Sequence, residues 1–203
     1  MLTNAQYHSR DDASIDDQIV FLHGLTWDDY ERLLDMRGEH SAPRISYLEG
    51  EVEIMRPSRT HEAIKSTIGS LVETWCMERD LPFTTVGSWT LKATDRTRGA
   101  EPDECWIFGD PHVERPHLAV EVEWTSGRID KLDIYRKLGV AEVWFWRKGR
   151  IQAYGLRDEH SVPVGASEVL PGIDLDLLTS FLDRPSTYEA ICGYREALRN
   201  DAG

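Results

Sequence analysis

The stretch HLAVEVEWTSGRIDKLDIYRKLGVAEVWFW, residues 117–146, reads as a strand, a helix and a second strand. Successive side chains of an extended chain point to opposite faces, so Leu118, Val120 and Val122 share one side and Ala119, Glu121 and Glu123 the other. Further on, Lys131, Ile134, Tyr135 and Leu138 fall at i, i+3, i+4 and i+7, one stripe of a helix over residues 128–140 that closes at Gly139. Residues 141–156 then form a hairpin turning at Lys148 and Gly149. Two acids therefore stand on one strand face, and a lysine sits on the core-facing stripe of a helix. On a solvated face the acids are simply two charges in water. On a covered face they must be paired, protonated or holding a cation. The lysine has two readings as well. It is an ion-pair partner of Asp130, Glu121 or Glu123 with its stem over the core, or a group set beside a scissile phosphate.

Upstream, Thr26 caps a helix that ends at Gly38, with acids in its first turn, and this helix is expected to be the first ordered element. Residues 44–55 form a hairpin joined at Glu49 and Gly50. Ile64, Ile68, Leu71, Val72 and Trp75 have helical spacing and define a long helix over residues 58–80, with His61 in its first turn. Residues 83–92 and 103–108 read as strands separated by a polar turn. A short helix and a last helix, opened by Ser186 and Glu189 as a capping box, end the chain. The expected fold is α/β, a mixed β-sheet flanked by helices, with an N-terminal helix and a C-terminal helical extension.

The 203 residues, 40% of them apolar, suit one domain with a real core. The expected division is a polar tail over residues 1–18, a domain over residues 19–183 and a C-terminal helix over residues 184–203. No run is long and apolar enough for a membrane span, and the first residues lack the pattern of a secretory leader. Cys76, Cys105 and Cys192 are odd in number and far apart, which suits a reducing cytoplasm. The histidines form no zinc pattern, and no phosphate-cradling glycine loop or serine-hydrolase elbow is present. A net charge of −13 weighs against long-range attraction to nucleic acid, although a bound divalent cation can reverse the field inside one cleft.

Asp103 follows Pro102 at the mouth of a strand that is apolar on both faces, and eight residues, 109–116, link it to the strand carrying Glu121. The two carboxylates can converge across neighbouring strands. With the Val122 carbonyl they make an oxygen donor set of the kind that Mg²⁺ or Mn²⁺ favours. His61 is either a partly buried histidine bonded to backbone or a group that positions water or phosphate. Glu51 and Glu53 are read as a solvated strand face. Trp144 and Trp146 are read as core packing of a strand rather than as a stacking platform for bases.

The segments EPDECWIF, LAVEVEWTSGRIDKLDIYRKLGVAEVWFW and ISYLEGEVEIMRPSRTHEAI resemble the Uma2 family, the former DUF820 group within the PD-(D/E)xK nuclease superfamily, over about residues 26–178. The resemblance implies a restriction-endonuclease-like core over the domain of residues 19–183, and Mg²⁺-dependent hydrolysis of DNA phosphodiesters. By position, Asp103 and Glu121 would be the metal carboxylates and Lys131 the catalytic lysine, with His61 a lesser candidate. Glu123 departs from the superfamily's simplest pattern, standing where a lysine would follow Glu121. It is either an added ligand or a residue that disables the site. DNA is the implied partner, and a homodimer would follow from cutting both strands. A non-catalytic binding or assembly module, or a hydrolase of small phosphoesters, stand as the rival readings.

Overall fold

The computed structural model describes residues 16–124 and 129–201. The elements in chain order are β1 (Gln18–His23), α1 (Trp27–Arg37), β2 (Arg44–Leu48), β3 (Glu51–Arg56), α2 (Arg59–Met77), β4 (Phe83–Thr85), β5 (Leu91–Lys92) and β6 (Arg98–Ala100). They continue with β7 (Glu104–Phe108), β8 (Leu118–Val122), α3 (Lys131–Lys137), β9 (Glu142–Arg147), β10 (Arg150–Leu156), β11 (Ser161–Val164), α4 (Leu175–Thr179) and α5 (Thr187–Asp201). The strands form two sheets, β1-β3-β2-β6-β5 and β11-β10-β9-β8-β7-β4. In the larger sheet β8 and β9 are parallel, joined through α3, and the remaining pairs are antiparallel, so the sheet is mixed as expected.

Local chemistry accounts for the element ends. Thr26 and Asp29 close a capping box on α1, and Gly38, at φ 66°, ends it. Ser58 caps α2 by accepting from the His61 amide at 3.1 Å, which sets His61 on the first turn. Both hairpins turn through left-handed pairs, Glu49 at φ 48° with Gly50 at φ 98°, and Lys148 at φ 49° with Gly149 at φ 81°, the backbone that a two-residue connection between twisted strands requires. Asp130 caps α3, so this helix starts at Lys131. Arg128, where a helix was expected to begin, lies outside the described residues.

Three expectations need correction. The first described element is β1, an edge strand paired with β3, rather than α1. Residues 83–92 are not one strand: β4 joins the large sheet and β5 the small one, with Gly87 at φ 61° between them. Finally, β11 extends the large sheet where no strand was expected. Of the expected polar tail, residues 1–15 lie outside the described residues, while Gln18 already belongs to β1.

The large sheet is covered on both faces. On one, Trp106, Leu118, Val120, Val122, Trp144 and Trp146 pack against α2, α4 and α5. Trp144 and Trp146 are thus core residues, as read from the sequence. On the other, Cys105, Ala119, Val143 and Phe145 meet α3 and the edge of the small sheet at Leu91 and Ala100. A third cluster, Tyr30, Leu34, Ile45, Tyr47 and Val52, seals α1 onto the small sheet. Burial of such side chains contributes about 1.5–3 kcal/mol each, which holds the two sheets in a fixed relation. Cys76 and Cys105 are buried and Cys192 exposed, all three as free thiols. No helix among the described residues is long and apolar enough to cross a membrane.

Candidate active site

Where the two sheets meet, several charged side chains are buried together. Asp103, just before β7, and Glu121, on β8, come from adjacent antiparallel strands; Glu104 pairs with Val120, so the acids occupy the next step of the ladder. Both are buried, at 0% and 1% exposure. The expected convergence of the two carboxylates across neighbouring strands is therefore present.

Asp103 is held on three sides. The Val122 amide donates to its Oδ2 at 2.6 Å, His61 Nε2 lies 2.8 Å from the same oxygen, and Arg44 Nη1 lies 3.0 Å from Oδ1. The His61 and Arg44 contacts are ion pairs between fully or nearly buried groups. Burial opposes ionisation of Asp103, but His61, Arg44 and Lys131 outweigh it and hold the carboxyl at about 2. His61 is fully buried between two acids, with Nδ1 2.8 Å from Asp17 Oδ2. Burial alone would discharge the ring, yet its contacts with Asp103 and Asp17 raise it to about 9. Asp17 also accepts from the Ser58 amide at 2.7 Å, which fastens the approach to β1 onto the start of α2.

Glu121 faces α3. Lys131 Nζ donates to its Oε2 at 2.6 Å and the Tyr135 hydroxyl donates to Oε1. Burial pushes this carboxyl up to about 7, against the pull of Lys131, and the charge of Asp103 adds to the rise. Burial likewise works against the Lys131 ammonium, but Glu121, Glu53 and Asp103 more than restore it, so its pKa is raised and it stays charged. The lysine's second carboxylate is Glu53, whose Oε1 lies 3.6 Å from Nζ.

The expectation for Glu53 is thus overturned. It is 3% exposed, not on a solvated face, whereas Glu51 two residues earlier is exposed beside His23. Glu51, Glu53 and Met55 share one face of β3, opposite Val52, and position along the strand separates them. Glu51 follows directly on the Glu49–Gly50 turn, at the strand's end, whereas Glu53 and the buried Met55 lie further along, beside Lys131. Met55 was the available signal, an apolar residue on the same face as Glu53. Arg44, Asp17 and Tyr135 also escaped the sequence reading as site residues. Glu123 is present at the rim but joins neither Lys131 nor Glu121; Arg147 holds it at 2.7–2.8 Å. A cleft of about 200 Å³ opens over the cluster, lined by Asp17, Glu53, Val122, Glu123, Trp124 and Lys131 among others.

Among the described residues no three of His, Cys, Asp and Glu gather closely enough to cage a metal ion. The donor chemistry nevertheless suits a hard divalent cation that retains waters. Asp103, Glu121 and the Val122 carbonyl offer oxygen only, and Glu53 Oε2 is buried without a hydrogen-bond partner in the structure. A zinc-type site is less well served, because both nitrogens of His61 face acids.

The mixed sheet with its flanking helices is a restriction-endonuclease-like α/β fold. The particular family follows from the sequence match: the model of Uma2, described as "Putative restriction endonuclease", matches residues 27–181, and the chain belongs to this family. A crystal structure described as "a putative nuclease belonging to DUF820" from Anabaena variabilis ATCC 29413 superimposes with a TM-score of 0.51 and 14% identity, covering 84% of this chain and 99% of that one. That likeness establishes the shared fold. No curated protein matches the chain.

Proposed function

We propose that the protein is a metal-dependent endonuclease that hydrolyses DNA phosphodiester bonds, with Asp103 and Glu121 holding Mg²⁺ or Mn²⁺ and Lys131 assisting the chemistry. The observation that carries this reading is the buried set of acid, acid and lysine, of which Lys131 lines a cleft, in a chain of the Uma2 family. When bound, such a cation supplies Lewis acidity, offsetting charge on the phosphate and making water more acidic. The chain's own residues do the rest. Arg44 and His61 keep Asp103 ionised, the Val122 amide fixes its orientation, and Tyr135 fixes that of Glu121. Lys131, which lines the cleft with a permanent charge, can meet the negative charge that grows on the pentacovalent phosphate. Glu123, neutralised by Arg147, leaves Lys131 its acidic partners and need not disable the site. A second copy of the chain would provide the second site that a double-strand cut needs.

One observation favours the rival reading of a non-catalytic module: both Glu121 oxygens are already occupied, by Lys131 and Tyr135. Incubation of the protein with supercoiled, linear and single-stranded DNA separates the two. With Mg²⁺ or Mn²⁺ we expect cleavage that chelator abolishes and that Lys131→Ala reduces by at least about 10²-fold, the scale set by removing one group that stabilises transition-state charge. Uncut DNA on all three substrates favours the module. Hydrolysis of mononucleotide esters but not of polymers would replace the substrate class.

A further inference from the structure

The charges in the cluster are unevenly matched. Asp103 has two cationic neighbours, Arg44 at 3.0 Å and His61 at 2.8 Å, each shared with one further acid, Glu62 and Asp17. Glu121 and Glu53 share one ammonium, with Lys131 Nζ at 2.6 Å from the first and 3.6 Å from the second. Tyr135 gives Glu121 a hydrogen bond but no charge. With both acids ionised, two carboxylates against one ammonium leave a negative charge uncompensated where both are nearly sealed from water, at 1% and 3% exposure. A buried charge without a partner is strongly unfavourable, and the second oxygen of Glu53 lacks even a hydrogen bond. The spot is nevertheless reachable, since Glu53, Val122 and Lys131 all line the cleft.

We propose that Glu53 and Glu121 form a binding site for a hard divalent cation, Mg²⁺ or Mn²⁺, which the Lys131 ammonium occupies in the cation-free protein and vacates toward the cleft when the ion binds. The inference rests on the cation-binding part of the reading above, and adds Glu53 as a ligand and a reason for the position of Lys131. An ammonium between two carboxylate oxygens marks a place already shaped for a cation. Exchange for a dication brings the pair to neutrality, and water completes the coordination that two carboxylates leave open. The exchange also frees one positive charge into a cleft whose rim carries Asp17 and Glu123, on a chain of net charge −13. An incoming phosphate then meets the lysine rather than a wall of acids.

Calorimetric titration of the full chain with Mn²⁺, alongside the melting temperature with and without the ion, tests the proposal in wild type, Glu53→Gln, Lys131→Met and Asp103→Asn. Glu51→Gln is the control on the same strand. Wild type and Glu51→Gln should bind alike. Glu53→Gln should bind about tenfold or more weakly, with a cation-free melting temperature unchanged or raised, because it removes an uncompensated charge. Lys131→Met should bind Mn²⁺ more tightly than wild type, since its competing ammonium is gone. Glu53→Asp, which keeps the charge, should bind better than Glu53→Gln. Wild-type affinity in Glu53→Gln together with loss in Asp103→Asn overturns this proposal and leaves the proposed function standing. Weaker binding by Lys131→Met also overturns it. No binding of millimolar Mn²⁺ to wild type overturns both.

Discussion

Replacement of Asp103 by alanine is expected to lower unfolding stability by about 3–5 kcal/mol, the cost typical of stripping one partner from a buried charge cluster. The magnitude follows from what the carboxylate holds. Arg44 is buried at 5% exposure and His61 at 0%, so neither cation can turn to water when the acid is removed. The Val122 amide would also lose its acceptor. His61 has an escape, because it can deprotonate and keep Asp17, but Arg44 has none. Its other partner, Glu62, sits near the surface, and Glu62→Gln should cost only about 0–1 kcal/mol, as exposed pairs usually do. Urea denaturation of the two variants gives the comparison. Equal costs would mean that Asp103 does not organise the cluster.

The second large effect is on pH dependence. The folded-state pKa of His61, about 9, lies above the ordinary value of 6.5. The stabilisation from its charged form is therefore complete below pH 6.5 and disappears as pH rises through about 9. Its size is about 3 kcal/mol by proton linkage. Glu121 acts in the same direction lower on the scale: its carboxyl is raised from 4.5 to about 7, so ionising it removes stability across that interval. Asp103 has the opposite sign. Its carboxyl is depressed from 3.8 to about 2, so its contribution is present above pH 3.8 and vanishes as pH falls through about 2. Wild type and His61→Gln compared by urea denaturation at pH 6 and pH 9.5 should differ in slope by about 3 kcal/mol, wild type losing more on the alkaline side. Parallel profiles would remove the charged histidine from the cluster.

The strand–helix–strand run at residues 117–146 was legible because its burial is continuous and local. Apolar residues at period two and then at helical spacing state which faces are inside, and the large sheet follows from them. β1 was not legible. Its segment, QIVFLH, follows an acidic run and is only half buried, with Val20 at 53% exposure, so pairing with β3 defines it rather than its own pattern. The break between β4 and β5 is a tertiary choice made at Gly87, with strand-like sequence on both sides. The site divides in the same way. Asp103, Glu121 and Lys131 lie on one sheet and the helix that follows it, where ladder and helical spacing bring them together. Glu53, Arg44 and Asp17 arrive from the small sheet and its approach, and apart from the apolar Met55 beside Glu53 no local pattern says which face another sheet will cover. Glu123, singled out because it stands next to Glu121 on the strand face, is engaged by Arg147 across the neighbouring strand instead.

The central claim is that these buried acids are a divalent-cation site, and diffraction at the manganese edge from a crystal grown with Mn²⁺ tests it most directly. The account predicts an anomalous peak among Asp103, Glu121 and Glu53, about 2.0–2.3 Å from carboxylate oxygens, with Lys131 turned toward the cleft. A cluster unchanged at saturating Mn²⁺, with Lys131 still seated between Glu121 and Glu53 and no peak nearby, would contradict it.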